Sequence, residues 1–275
     1  MFRVLGLSLG ILGLTGCFDA DGDGLSNGEE KDRGSDPEKV DSDGDGLSDG
    51  DEVLKYLSDP TKVDSDGDSY DDGDEVSEGV SPIDADDKIY EGGWPFNPNK
   101  DDIEDPGWSG SSKKGDPFPR FAWTDQFGDE VDIYDFADHG KPIVLDISGV
   151  WCGYCQEMAK WLEGEPSSVY TSTFYPDVRE MVINGDIYWI TAIDAGRSGQ
   201  GDKPNESDVE DWAEKFENPN VPVLLDEDQQ LRGLVQQSGW PSLFLIEDNM
   251  EIGLNPSYYQ LVFMEVQKRK NNGDL

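Results

Sequence analysis

The residues of this chain best equipped for chemistry are two cysteines three positions apart, Cys152 and Cys155, in the run Trp151-Cys-Gly-Tyr-Cys155. A thiol pair at this spacing can exchange electrons with another disulfide. The first thiolate attacks a sulfur, a mixed disulfide forms, and the second thiol resolves it. The same spacing can supply half of a zinc site, which needs two further ligands, or it can be inert. The only histidine is His139 and the only other cysteine is Cys17, so ligands for a closed metal site are scarce and no wider disulfide framework can be built.

The second set of candidates is acidic and recurs. Asp19, Asp21 and Asp23 are followed at spacings of 22 and 23 residues by Asp41, Asp43 and Asp45, and then by Asp64, Asp66 and Asp68. A fixed period is a repeat signature, and each unit can be numbered as a twelve-residue calcium loop with these aspartates at positions 1, 3 and 5. Position 7, a backbone carbonyl, falls on Leu25, Leu47 and Tyr70; position 9 on Asn27, Asp49 and Asp72; position 12 on Glu30, Glu52 and Glu75. Ca²⁺ takes about six to eight hard oxygens, which alternate side chains of a tight loop can offer. Gly24 and Gly46 permit the sharp turn at position 6; Ser69 in the third unit makes that loop the weakest geometrically.

The elements around the cysteines must position them. The apolar, β-branched run from Lys141 to Ile147 reads as a buried parallel strand. After it, Cys155, Met158, Ala159 and Leu162 form a helical stripe. Cys152 thus falls where a strand hands over to a helix N-terminus, whose N–H groups and dipole stabilise a thiolate. Asp146, six residues upstream on the strand, is a candidate proton acceptor for the Cys155 thiol, with desolvation raising its pKa. Pro241, at the entry to the apolar run Leu243–Ile246, is placed for a cis bond. Further strands are read at 188–194 and 221–225. Between them lies a helix from Ser207, its cap, to Phe216, with Val209, Trp212, Ala213 and Phe216 on one face. Trp151 and Trp212 read as packing residues and His139 as a surface loop residue.

Charge separates the two regions. Residues 18–105 hold 31 Asp+Glu against 7 Lys+Arg within a chain of net charge −40. Such a stretch cannot form an ordinary apolar core and must be neutralised or unfolded. The balance disfavours nucleic acid and anionic lipid surfaces and favours cations. Gly, Pro, Asn and Ser dominate 89–115, read as a linker, in which Trp94, Phe96 and Trp108 are unusual enough to dock on a neighbouring domain. At the start, Arg3, the apolar run Val4–Leu14 and a small-residue site describe a signal peptide, too short to span a membrane.

Three resemblances follow from these motifs. Leu14-Thr-Gly-Cys17 resembles the lipobox of bacterial lipoproteins, which implies cleavage after Gly16 and a lipid on Cys17. The acidic units, with Ser35-Asp-Pro37 and Ser58-Asp-Pro60 between them, resemble thrombospondin type 3 repeats, which implies structural calcium in a spacer rather than a sensor. From about Asp116 to Val266 the chain resembles the thioredoxin superfamily and its exported TlpA-like thiol–disulfide oxidoreductases. The motifs are Asp125-Gln-Phe127-Gly128, Trp151-Cys-Gly-Tyr-Cys155 and Pro241. That resemblance implies Cys152 as nucleophile, Cys155 as resolving thiol, Pro241 in the substrate groove and no organic cofactor. The dipeptide Gly153-Tyr154 carries no histidine, which points to a reductant or isomerase.

The expected fold is α/β: a thioredoxin-like mixed sheet flanked by helices, after a calcium-binding acidic repeat region with little regular structure. The expected organisation is a lipoprotein signal peptide at 1–16, repeats at 17–88, a linker at 89–115 and the thioredoxin-like domain at 116–275. The expected function is disulfide exchange on exported proteins with a thiol redox partner, from a lipid anchor in the bacterial cell envelope, on its periplasmic or surface face. Phe18 after the lipidated cysteine favours the outer membrane. The competing class is a non-catalytic, calcium-dependent surface scaffold or adhesion lipoprotein.

Overall fold

In a computed structural model of the chain, the described residues are 18–68, 70–85, 87–108, 112–171, 173–234 and 239–275. The expected leader 1–16, the lipidation site Cys17 and the loop residue Ser69 lie outside them. The chain divides into two units, Met1–Ile89 and Tyr90–Leu275.

The first unit is built on its acidic loops. In each, the position 1 aspartate accepts an N–H from the glycine three residues on, Asp19 from Gly22 and Asp41 from Gly44, both at 2.7 Å. Gly24 and Gly46 take φ near +100°, which side-chain-bearing residues avoid. Each loop runs into a helix: α1 (Asn27–Arg33), α2 (Asp49–Asp51) with a wide turn over Glu52–Tyr56, and α3 (Asp72–Glu78). Ser26 starts α1 with a capping box to Glu29, and Ser48 caps α2. Regular structure among the described residues here is confined to these short helices, whose serine caps and glycine stops at Gly34 and Gly79 are signals too short to show as periodicity.

In the second unit, an antiparallel pair β1 (Ala122–Thr124) and β2 (Glu130–Asp132) precedes a five-stranded sheet. Its members are β3 (Ile143–Gly149), β4 (Tyr188–Ala195), β5 (Val223–Leu225), β6 (Ser242–Ile246) and β7 (Ile252–Ser257), in the order β5-β4-β3-β6-β7. β3, β4 and β5 run parallel; β6 is antiparallel to β3, and β7 is antiparallel to β6. β3 is central and buried on both faces, which is why it reads as a continuous apolar run. Its odd residues Ile143, Leu145 and Ile147 join Phe244, Phe118, Phe121 and Tyr134 in one layer. Val144, on the other face, joins helices α4 (Gly153–Leu162), α5 (Val178–Ile183) and α8 (Tyr259–Asn272) through Met158, Leu162, Met181 and Phe263.

Two expectations are corrected. Helix α6 (Glu206–Lys215) starts one residue before the cap read at Ser207. Asn205 is its N-cap, paired reciprocally with Asp208. The segment read as a linker belongs to the second unit from Tyr90 onward. Tyr90 donates to Asp135 at 2.6 Å, the Trp94 indole N–H donates to Asp125 at 2.7 Å, and Trp108 stacks on Trp123. These are the dockings that Trp94 and Trp108 hinted at, within the unit they belong to.

Candidate active site and acidic clusters

The last residue of β3, Gly149, ends the strand with a register shift against β4, and a short turn carries the chain into α4. Cys152 is the N-cap of that helix, and the Cys155 N–H donates to its Sγ at 3.2 Å. Sulfur thus takes the position that an oxygen of serine or aspartate takes at other helix starts. The two cysteines form a disulfide with Cα atoms 5.3 Å apart. Cys155 is fully buried and Cys152 is 4% exposed, lining a cavity of about 710 Å³ together with Trp151, Tyr154, Glu157, Gln200, Gly239 and Trp240.

Two tryptophans make the wall of this cavity. Trp151 and Trp240 lie with ring centroids 5.2 Å apart. A Cβ at Gly149 would fall 2.9 Å from the Trp240 ring and 3.1 Å from the Trp151 indole nitrogen, so the glycine is required for both rings to lie over the strand end. Trp151 is 44% exposed, which corrects its reading as a packing residue; Trp212 is buried as expected. The Arg232 guanidinium sits 5.3 Å from the Trp240 ring and is itself held by the buried Asp194, at 2.8 Å to a carboxylate oxygen and 2.9 Å to the backbone carbonyl. Nothing in the sequence pattern joins Gly149, Trp240, Arg232 and Asp194, since their contacts cross elements.

Pro241 follows Trp240 in a cis peptide bond and lines an adjoining cavity, with Gly239 and Trp240 lining both. Asp146 faces the α4 side of the sheet, where the register sets it beside Thr191 and Leu243. Burial pushes its carboxyl up to about 7, opposed by the Ser148 hydroxyl, which donates to both carboxylate oxygens at 3.0 and 3.1 Å. Ser148, one alternation further along the strand, was missed by sequence reasoning. His139 is exposed, with Nε2 2.9 Å from the Asp135 carbonyl oxygen.

In the first unit the acidic residues gather differently from a one-loop register. Positions 1, 3 and 5 lie together in all three loops: Asp19, Asp21, Asp23; Asp41, Asp43, Asp45; and Asp64, Asp66, Asp68. The position 9 residues Asp49 and Asp72 accept N–H groups from Ser42 and Ser65 of their own loops, both at 2.7 Å, and also reach the preceding repeat. Asp49 meets Asp23 and Glu30, and Asp72 meets Asp45 and Glu52, with ligand atoms within 4.8 Å of one another. Repeats approach closely there: Gly50 N–H donates to Asp23 at 2.7 Å, and a Cβ on Gly50 or Gly73 would lie 2.2 or 2.3 Å from the carbonyl oxygen of Asp23 or Asp45. Leu25, Leu47 and Tyr70 each donate an N–H to the position 5 aspartate of their own loop.

The donor set fits a hard divalent cation. Glu30, Glu52, Asp72 and Glu75 are fully buried. Both carboxylate oxygens of Glu30 and Glu75, and one each of Glu52, Asp21, Asp43, Asp66 and Asp72, are buried without a hydrogen-bond partner, as is the Asn27 side-chain oxygen. Burial first and neighbouring aspartates second push Glu52 and Glu75 up to about 8. Buried unpaired carboxylates are costly unless a cation or proton compensates them.

Comparison with known proteins assigns the second unit. Thioredoxin H5 of Oryza sativa subsp. japonica is 33% identical over 110 residues, covering 38% of this chain and 81% of that protein. The chain belongs to the thioredoxin family. It is a thioredoxin-like thiol–disulfide oxidoreductase, and Cys152 and Cys155 form its cysteine pair. Residues 19–39 and 41–63 match the family model of the Bacterial TSP3 repeat. Among solved structures, the chain is similar to a thioredoxin-like protein of Bacteroides caccae (13% identity, TM-score 0.43, covering 58% of this chain and 51% of that one). It spans about half the length of that protein. Others are the thioredoxin domain of a Bacteroides vulgatus thiol–disulfide oxidoreductase (16%, 0.40, 57% and 98%) and an exposed lipoprotein thioredoxin of Streptococcus pneumoniae (19%, 0.37, 53% and 98%).

The buried carboxyl of the thioredoxin-like unit makes stability pH-dependent. Asp146 has its pKa raised from 3.8 to about 7, so its contribution is fully present below about pH 4 and lost as pH rises through 7. Asp146→Asn removes this titration. In the disulfide form, the unfolding free energy of the variant, read from denaturant titrations, should gain on that of wild type from pH 4 to 8, by an amount on the order of 4 kcal/mol. A difference that does not vary with pH would contradict the assignment.

Proposed function

We propose that this chain reduces or reshuffles disulfides of other exported proteins through Cys152 and Cys155, from a lipid anchor at Cys17 in the bacterial cell envelope. The observation that carries the reading is the Cys152 sulfur at the start of α4, accepting the Cys155 N–H at 3.2 Å beside an aromatic-walled cavity. The helix dipole and free N–H groups favour negative charge on that sulfur.

The reaction runs in two exchanges. Cys152 thiolate attacks one sulfur of the client disulfide; a Cys152–client bond forms and the other client sulfur leaves as a thiol. Cys155 then gives its proton to Asp146 and attacks the Cys152 sulfur, releasing the second client thiol and closing the Cys152–Cys155 disulfide. Two electrons pass from the pair to the client, and an external dithiol partner restores the reduced form. Pro241 and Trp240 border the groove in which the client lies. The Gly153-Tyr154 dipeptide, without histidine, supports a reductant or isomerase.

The acidic repeats serve as a spacer held by calcium. Residues Asp19, Asp21, Asp23, Asn27 and Glu30 and their counterparts in the later repeats would hold it, with the Asp49 and Asp72 carboxylates shared across repeats. When bound, the ion supplies charge compensation and cross-linking, not redox chemistry. The Leu14-Thr-Gly-Cys17 motif supports the anchor, on a periplasmic or surface face, and Phe18 supports the outer membrane.

With dithiothreitol as reductant, wild-type protein should accelerate insulin precipitation and Cys152→Ser should not, while Cys155→Ser should accumulate mixed disulfides with client proteins. Wild type as slow as Cys152→Ser would refute the enzyme reading. Chelation should raise the radius of gyration of the full chain in solution scattering. Identical profiles with calcium and with chelator would refute the metal-held spacer.

A further inference from the structure

The 24 residues from Glu163 to Asp186 contribute part of a second cavity, of about 300 Å³, which shares Tyr154, Gly239 and Trp240 with the cavity at Cys152. Tyr154, Val169, Tyr170, Pro241, Tyr258 and Tyr259 line it. Its deeper hydroxyls are already engaged: Tyr170 donates to the Tyr154 carbonyl at 2.7 Å, and Tyr259 to the Val169 carbonyl at 2.9 Å. The two side chains therefore offer ring faces rather than free polar groups. Tyr154 and Tyr258 are each 63% exposed. Trp240, shared by both cavities, contacts the Trp151 ring and the Arg232 guanidinium, which Asp194 holds in turn.

Charge narrows the occupant. Among the described residues lining the two cavities, the one ionisable side chain other than cysteine and tyrosine is Glu157, which accepts from Ser167 at 2.8 Å. No lysine or arginine is among them to pair with an anionic small disulfide, and residues 90–275 hold 35 Asp+Glu against 14 Lys+Arg. A cavity of this size, apolar and continuous with the nucleophile through Tyr154, Gly239 and Trp240, suits one large side chain of an extended polypeptide.

We infer that this cavity is a specificity pocket. It takes a bulky apolar side chain, aromatic or long aliphatic, lying within two residues of the client's disulfide cysteine on a neutral or basic segment. The inference rests on the proposed exchange at Cys152 and names its substrate class. Tyr258 and Val169 determine specificity, and Arg232 is a positioning residue that acts through Trp240.

The test uses pre-reduced full-length protein and synthetic peptides dimerised through one cysteine, with Phe, Ala or Asp placed at each position within two residues of it. Single-turnover rates should favour the best Phe peptide over its Ala counterpart by about tenfold or more, with Asp slower still. Tyr258→Ala, at an exposed position where folding is not at stake, should bring the Phe-to-Ala ratio towards one. Equal rates for Phe and Ala in wild type, or an unchanged ratio in Tyr258→Ala, would overturn the pocket while leaving the exchange reaction standing. Failure to reduce any of the peptides would instead remove the exchange reading and this inference with it.

Discussion

A helix start leaves N–H groups unpaired, and at the start of α4 one of them is met by sulfur. Elsewhere in the chain the same task falls to oxygen: Ser26, Ser48 and Asp132 accept N–H groups at their own helix starts. At Cys152 the acceptor is also the atom proposed to react, so the requirement that closes the helix is the one that favours a thiolate. The rest of the second unit can be understood from that coincidence. β3 must be buried and central to deliver the turn at a fixed place, Gly149 must lack a side chain so that two tryptophans can lie beside the sulfur, and Cys155 must be buried one turn behind it.

The first unit solves a different problem. It has almost no apolar core; its fully buried acidic groups are Glu30, Asp49, Glu52, Asp72 and Glu75. In place of hydrophobic burial, the described repeats converge carboxylates from one loop and the next, and glycines at Gly50 and Gly73 let the backbones approach. Such an arrangement is stable only if positive charge is supplied, which makes the unit's order conditional on its surroundings in a way that the thioredoxin-like unit is not.

Much of this was legible in the sequence, for physical reasons. The β3 and β6 runs are local, continuous apolar segments and the α4 stripe a local pattern of period 3.6, and the cysteine pair sits between the β3 run and that stripe. The threefold aspartate register was legible because alternate ligands lie within one loop. What escaped was non-local. Asp49 also meets Asp23 and Glu30, 19 or more residues back, a contact that a one-loop numbering does not contain. Tyr90 and Trp94 look like linker residues because their partners, Asp135 and Asp125, lie more than 30 residues on. Trp240 is marked by no local pattern, and only its contacts with Trp151, Gly149 and Arg232 give its size a purpose.

The account stands or falls on the reactivity of one sulfur. The most direct measurement is the rate at which iodoacetamide modifies each cysteine of the reduced protein at neutral pH, read by peptide mass mapping. The account predicts that Cys152 is alkylated at least about tenfold faster than Cys155 and faster than an unstructured peptide thiol. A Cys152 that reacts no faster than the peptide thiol, or more slowly than Cys155, would contradict it.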